Sequence, residues 1–360
     1  MNILIKATAR AVAAGILCAI VSAVPMARAA TSAAKPAITG AAVTNTAPCD
    51  RACLHDIAET YLTAMLAHAP SKAPLALNAR YTENGVNLSL PDGLWRTLDK
   101  LGTYRLYVAD PQERMIAFLA KGLENGAPVL IGTRLRVINH QITEMESVVG
   151  RLSSTTGGAL LGTAPKDLSI DGEPRPQFLG DVPVAARRTP EQLAAIVNGY
   201  FTGLEGNTGD KPPAFAADCH RLENETPTTN VPVPQGAQPG AANMPCAKAF
   251  GLGYYHEDTR LRNRRILAVD VERGLVCASV FFDHDATVRS YKLKDGREAK
   301  ARNTGPWTWM IQEYFEVNAA GKISQVEAVL LSVPYGTRPG WVTGTHLPSP
   351  QAKLDHFREY

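Results

Sequence analysis

Residues 266–285 read ILAVDVERGLVCASVFFDHD, two apolar arms joined by Asp270-Val271-Glu272-Arg273-Gly274. A connection this tight, with a glycine free to take a positive φ, predicts a β-hairpin. The second arm, residues 275–282, is almost wholly apolar and rich in Val and Phe, which suits a strand covered on both faces. It stops at Asp283, His284 and Asp285, titratable groups that would give a pocket a polar end wall. The pattern recurs at residues 107–125, YVADPQERMIAFLAKGLEN, with the same Asp, the same Glu-Arg turn and the same apolar run. Laying Arg114 on Arg273 puts Glu124 on Asp283. The chain reads as one fold written twice.

The repeat extends outward from this hairpin. A first unit over residues 49–152 opens with Leu54, Ile57, Ala58, Tyr61, Leu62, Met65 and Leu66 at helical spacing. A second, over residues 189–345, opens with Thr189 as N-cap and Pro190 in the first turn, followed by an apolar stripe from Leu193 to Leu204. Glu83-Asn84 returns as Glu223-Asn224, and a closing hairpin in each unit lays Glu327 on Glu146. A helix followed by several long antiparallel strands is α+β order rather than alternating βα order. Residues 153–188 lack a sustained pattern and read as a linker, and residues 346–360 as a tail.

Residues 1–29 carry Lys6 and Arg10, an apolar run and Ala27-Arg28-Ala29, the layout of a secretory signal peptide. A flexible lead-in at 30–48 follows. The leader holds Lys6, Arg10 and Arg28 and no acid, so its removal takes away the whole formal charge of +3. The mature chain is then near neutral, which removes a global electrostatic argument for nucleic acid or an anionic membrane. A secreted or periplasmic protein meets an oxidising compartment, where disulfides form. Five cysteines remain, and the sequence alone leaves the pairing open among about 15 two-bridge arrangements. The expected bridges are Cys49–Cys53, pinning the first helix, and Cys219–Cys246, closing a loop, with Cys277 a buried free thiol.

The strings CDRACL (49–54), RYTENG (80–85), ADP (109–111), ERGLV (272–276), FFDH (281–284) and VPYG (333–336) resemble an uncharacterised family of secreted fungal and bacterial proteins. The element order resembles the nuclear transport factor 2-like, or SnoaL-like, fold. That resemblance implies tandem cone-shaped domains, each a long helix packed in a strongly curved antiparallel sheet. It also implies a monomer whose two units pair internally as a pseudo-dimer. The wider superfamily contains isomerases, dehydratases and members without activity, and none of their catalytic signatures carries over residue by residue.

Enzymes on such a scaffold generally move protons, so Asp, Glu, His and Tyr at strand ends are the groups to examine. In the second unit these are Asp283, His284 and His220 as proton-transfer candidates, with Glu313, Tyr314, Tyr335 and the Trp307–Trp309 pair as a ligand wall. In the first unit Trp95 and Glu124 are the ligand-facing candidates. Alternate strand residues share a face, so only one of Asp283 and His284 points inward. The competing reading is that these residues fix the contact between the units or cap a sheet edge. Arg260, Arg262, Arg264 and Arg265 read as a solvated strand edge, with an anion clamp as the sharper alternative. HExxH, GxSxG, a phosphate-cradling loop and GxGxxG after a strand are missing, so no metal or cofactor is expected. Two functions follow: a cofactor-free lyase, isomerase or dehydratase for a small cyclic or aromatic molecule, or a non-catalytic binding or interaction module.

Overall fold

The computed structural model describes residues 48–151, 168–302, 304–341 and 345–346. The expected leader, all but the last residue of the lead-in, residues 153–167 of the linker and residues 347–360 of the tail lie outside them.

Helix α1 (Arg51–Leu66) starts where Asp50 accepts a hydrogen bond from the Cys53 amide at 2.9 Å, satisfying one of the helix's free N–H groups. The Cys49–Cys53 disulfide spans the same turn. There follow β1 (Leu75–Glu83), β2 (Val86–Leu88), α2 (Leu94–Thr97), β3 (Leu98–Asp110), β4 (Met115–Glu124), β5 (Ala127–Ile138) and β6 (Gln141–Arg151). Short α3 (Pro176–Leu179) lies in the linker, before α4 (Pro190–Leu204). In α4 Thr189 and Gln192 cap one another reciprocally. The rest is β7 (Phe215–Glu223), β8 (Thr226–Pro227), α5 (Cys246–Leu252), β9 (Arg260–Asp270), β10 (Leu275–His284), β11 (Ser290–Lys292), β12 (Glu298–Lys300), β13 (Trp307–Val317), β14 (Ile323–Val333) and β15 (Thr345–His346).

The six-stranded sheet runs β3-β4-β5-β6-β1-β2, and the seven-stranded one runs β9-β10-β13-β14-β7-β8 with β15 added outside β9. The strand order is the same, so the duplication is visible in topology. One expectation changes: neither sheet is wholly antiparallel, because β1 runs parallel to β6 and β7 parallel to β14. No tight turn joins these pairs, so nothing obliges them to run in opposite directions. Asn84 and Asn224 confirm the correspondence. Both take a positive φ, and their Oδ1 atoms accept from the amides of Val149 (2.7 Å) and Leu330 (3.0 Å), clipping the first strand of each unit to the last.

The two hairpins align one residue away from the expected overlay. Asp110 and Asp270 each accept from the amide three residues on, at 3.1 Å, and the left-handed position falls at Arg114 (φ 57) and Gly274 (φ 64). Arg114 therefore corresponds to Gly274, and Glu124 to His284 rather than Asp283. Turn geometry, not the shared arginine, sets the register. A Cβ at Gly274 would lie 2.4 Å from the Val317 carbonyl oxygen. Gly274→Ala should thus lower stability by about 1–3 kcal/mol in a urea titration, while Arg114→Gly should leave it equal or higher.

Three apolar clusters build the layers. α1 packs on one face of the first sheet, with Leu54, Tyr61 and Met65 against Phe118, Ile131 and Met145. α4 packs likewise on the second, with Val197 and Phe201 against Val280, Phe282 and Phe315. The remaining faces meet each other through Leu106, Leu119 and Val148 on one side and Cys277, Phe281 and Val329 on the other. Polar ties cross this contact: Arg265 to Glu146, Tyr104 to Glu327, Tyr314 to the Phe118 carbonyl, and the Val269 amide to Asp110 at 2.9 Å. The linker touches both units, since Phe178 joins the inter-sheet cluster, Ile170 accepts from Tyr104 and Val182 donates to Glu272.

The arginine run is not a solvated edge. Arg264 and Arg265 are each 1 % exposed, and Arg260 and Arg262 are buried with them. Strand β15 covers β9, and each guanidinium meets a carboxylate: Arg260 and Arg262 meet Asp283, Arg264 meets Glu205, and Arg265 meets Glu146. Burial of charge is tolerated here because every member is paired.

Candidate functional site

Strand alternation decides what each candidate faces. On β13, Trp309, Ile311 and Phe315 join the cluster under α4, while Met310 and Tyr314 face the first sheet. On β10, Val280 and Phe282 face α4, and Cys277 and Phe281 face the first sheet. Asp283 and His284 therefore lie on opposite faces, and both are buried.

Asp283 accepts from Nε of Arg260 and of Arg262, both at 2.8 Å, and from Thr308 at 2.6 Å. Burial pushes its carboxyl up, but the hydrogen bonds and charge of Arg262, with Thr308 and Arg260, outweigh this and hold it below the usual carboxylate range. His284 sits with Nε2 2.8 Å from Asp258 Oδ1, its ring stacked on Trp307 (centroids 3.8 Å apart, planes at 7°) and edge-on to Trp309. The two tryptophans thus wall in a histidine. Glu313, 2 % exposed, accepts from Tyr200 at 3.0 Å. Burial, opposed by the Arg221 charge, pushes it up to about 8.

The other candidates are dispersed. His220 faces outward beside Asn230, and burial with the Arg175 charge lowers its pKa. Trp95 is sealed under α1, its indole donating to Tyr61 at 3.3 Å. Glu124 is paired with Arg151 and Thr97. Tyr314 lies between the sheets, and Tyr335 is 39 % exposed on the segment after β14. The bridges are Cys49–Cys53 and Cys219–Cys246, and Cys277 is a buried free thiol whose pKa burial pushes up to about 12.

The structure instead brings together a cavity of about 470 Å³ whose wall includes Glu223, Tyr254, Tyr255, Glu257, Tyr291 and Arg302. All belong to the second unit, and most come from segments the first unit lacks. Two residues join β4 to β5, whereas 285–306, containing β11 and β12, separate β10 from β13. Residues 228–259 likewise stand where a shorter link joins β2 to β3. The Cys219–Cys246 bridge ties α5, which leads directly into Tyr254 and Tyr255, to β7.

Ion pairs brace the polar wall. Arg302 binds Glu257 through Nε and donates from its backbone amide to the same carboxylate at 2.7 Å. Arg221 donates to Glu223 at 2.6 Å and to the Tyr255 hydroxyl at 2.7 Å. Asp258, beside Glu257, links this wall to His284 and lies 3.8 Å from Arg302. His284 therefore stands behind the wall rather than in it. Tyr254, Tyr255, Glu257, Tyr291 and Arg302 lie in the inserted segments between the long strands, where no periodicity marks which side chains converge. Their only sequence signal is aromatic and charged residues within inserted loops.

Among the described residues, Cys49, Cys53 and His140 are the one group near enough to share a metal ion, and its two cysteines form a disulfide. No helix among these residues is long and apolar enough to cross a membrane. No curated protein matches the chain. Residues 186–330, from just before α4 through most of β14, match the model of a domain of unknown function, DUF8021.

Proposed function

We propose that this is an exported protein whose second unit binds a small ring-shaped molecule in the tyrosine-walled cavity. In this reading each unit is a nuclear transport factor 2-like cone, and the inserted loops turn the mouth of the second into a receptor. The observation that carries it is the cavity itself. Its volume of about 470 Å³ falls within the range of ligand sites, and it combines aromatic rings with a few oriented polar groups. Export is supported by the leader-like N-terminus and by two disulfides. The internal pairing of sheets supports a monomer.

Catalysis without a cofactor is the second reading, and Glu313 favours it: a buried carboxyl with a pKa of about 8 is a proton reservoir near neutrality. Arg221 and Tyr200 lie in its surroundings, and it does not line the cavity. Binding is therefore the better-supported function.

Thermal melting of the full chain against a panel of small cyclic compounds tests this. A bound compound at a hundredfold excess over its Kd should add about 2.7 kcal/mol of stability. Tyr291→Ala, on the β11–β12 hairpin, should diminish that gain. A panel without effect, or an equal gain in the variant, defeats the proposal.

A further inference from the structure

We propose that the ligand of this cavity is a neutral polyhydroxylated ring, a pyranose or a cyclitol, an inference that rests on the binding reading above. The aromatic wall is the first argument. Tyr254 donates its hydroxyl hydrogen to the Pro239 carbonyl (3.2 Å) and Tyr291 to the Tyr254 carbonyl (2.7 Å), while the Tyr255 hydroxyl accepts from Arg221. With these oxygens engaged by the protein, the rings offer a ligand mainly carbon surface. They are also held in place: Phe250 packs on Tyr255 and His256 on Tyr291, with centroids 4.7 and 5.3 Å apart.

The charged wall is the second argument. Glu223 and Glu257 face Lys300 and Arg302 around the same space, so the two signs balance and a charged ligand gains no net attraction. An unsubstituted aromatic ring would fit the tyrosines but cover these groups without offering them a hydrogen bond, which is costly. A ring bearing hydroxyls at its rim meets both demands. Its hydroxyls donate to the two carboxylates and accept from the guanidinium, while its C–H faces lie on the tyrosines. Bracing by Arg221 and Arg302 fixes both carboxylates before the ligand arrives, so little side-chain order remains to be imposed on binding.

Isothermal titration of the full chain with D-glucose, D-galactose, myo-inositol, D-glucuronate and cyclohexanol tests the inference. At least one neutral polyol should bind, D-glucuronate should bind no more tightly than glucose, and cyclohexanol should not bind. Tyr254→Ala and Tyr291→Ala should each weaken the polyol about tenfold. Should one variant fail to fold, the other still decides. Binding of cyclohexanol without any polyol overturns the inference and leaves the ring-binding reading standing. A polyol whose affinity both variants preserve is bound elsewhere, which also overturns it. A chain that takes up no probe here and no compound of the wider cyclic panel defeats both.

Discussion

Asp283→Asn should destabilise the protein steeply rather than silence a reaction. The wild-type carboxylate accepts from Arg260, Arg262 and Thr308 in a setting where Asp283 is fully buried and both guanidinium groups are nearly so. An amide keeps the shape but removes the negative charge that both guanidinium groups face. Breaking a buried ion pair from one side costs about 3–5 kcal/mol, against the 5–15 kcal/mol that holds a typical domain folded. Urea midpoints should therefore fall steeply, with the slope unchanged if folding stays two-state. The pH dependence adds a second check. The folded carboxyl lies below its ordinary value, so its contribution is present above the unfolded pKa and is lost as pH falls through the folded one. The penalty of Asp283→Asn should accordingly shrink in acid. A variant that melts with the wild type at pH 7 would return Asp283 to the list of reacting groups.

The same residue shows what a sequence can convey here. That Asp283 ends an apolar strand, and that His284 must face the other way, follows from period-two alternation, and the structure has both. That three arginines from one strand divide between Asp283 and Glu146 does not follow, because pairing depends on which acids neighbouring strands and the other sheet bring near. A run of four arginines in isolation looks solvated. The helices were legible for a local reason: Thr189, Pro190 and Gln192 specify the start of α4 within four residues. The repeat was legible as well, though its register was off by one where Arg114 imitates Arg273. The cavity was the least legible part. Its walls come from β7, the segment after α5, and β11–β12, and no periodicity links Tyr255 to Tyr291 or Glu223 to Arg302.

Duplication also supplies an internal control for a pH experiment. Glu146 and Glu327 hold the same register in their sheets, opposite Thr82 and Leu222 of the parallel first strands, and both are buried where the sheets meet. Their partners differ. Glu146 is gripped by Arg134 at 3.0 Å and by Arg265 from the other unit. Burial pushes it up, yet the two arginine charges win and hold it below the ordinary carboxylate value. Glu327 receives a hydrogen bond from Tyr104 at the edge of a cavity of about 300 Å³, with Glu225, Lys121 and Arg175 around it. Burial dominates there and pushes it up to about 7. The two glutamates should therefore act on stability with opposite signs. Between about pH 4.5 and 7 the folded state keeps the Glu327 proton and the unfolded chain does not, so stability falls as pH rises through that window. Glu327→Gln preserves an acceptor for Tyr104 and removes the titration. It should raise stability at pH 8 relative to the wild type, on the order of 1–3 kcal/mol, and flatten the decline. Glu146→Gln should do the reverse, costing about 3 kcal/mol at pH 7 and progressively less in acid, where the wild-type carboxylate is itself protonated. Urea titrations of both variants at pH 5 and 8 separate the cases. Parallel curves for Glu327→Gln and the wild type would mean that Glu327 is ionised in the fold. The difference between the units would then lie in their loops and not in the contact between their sheets.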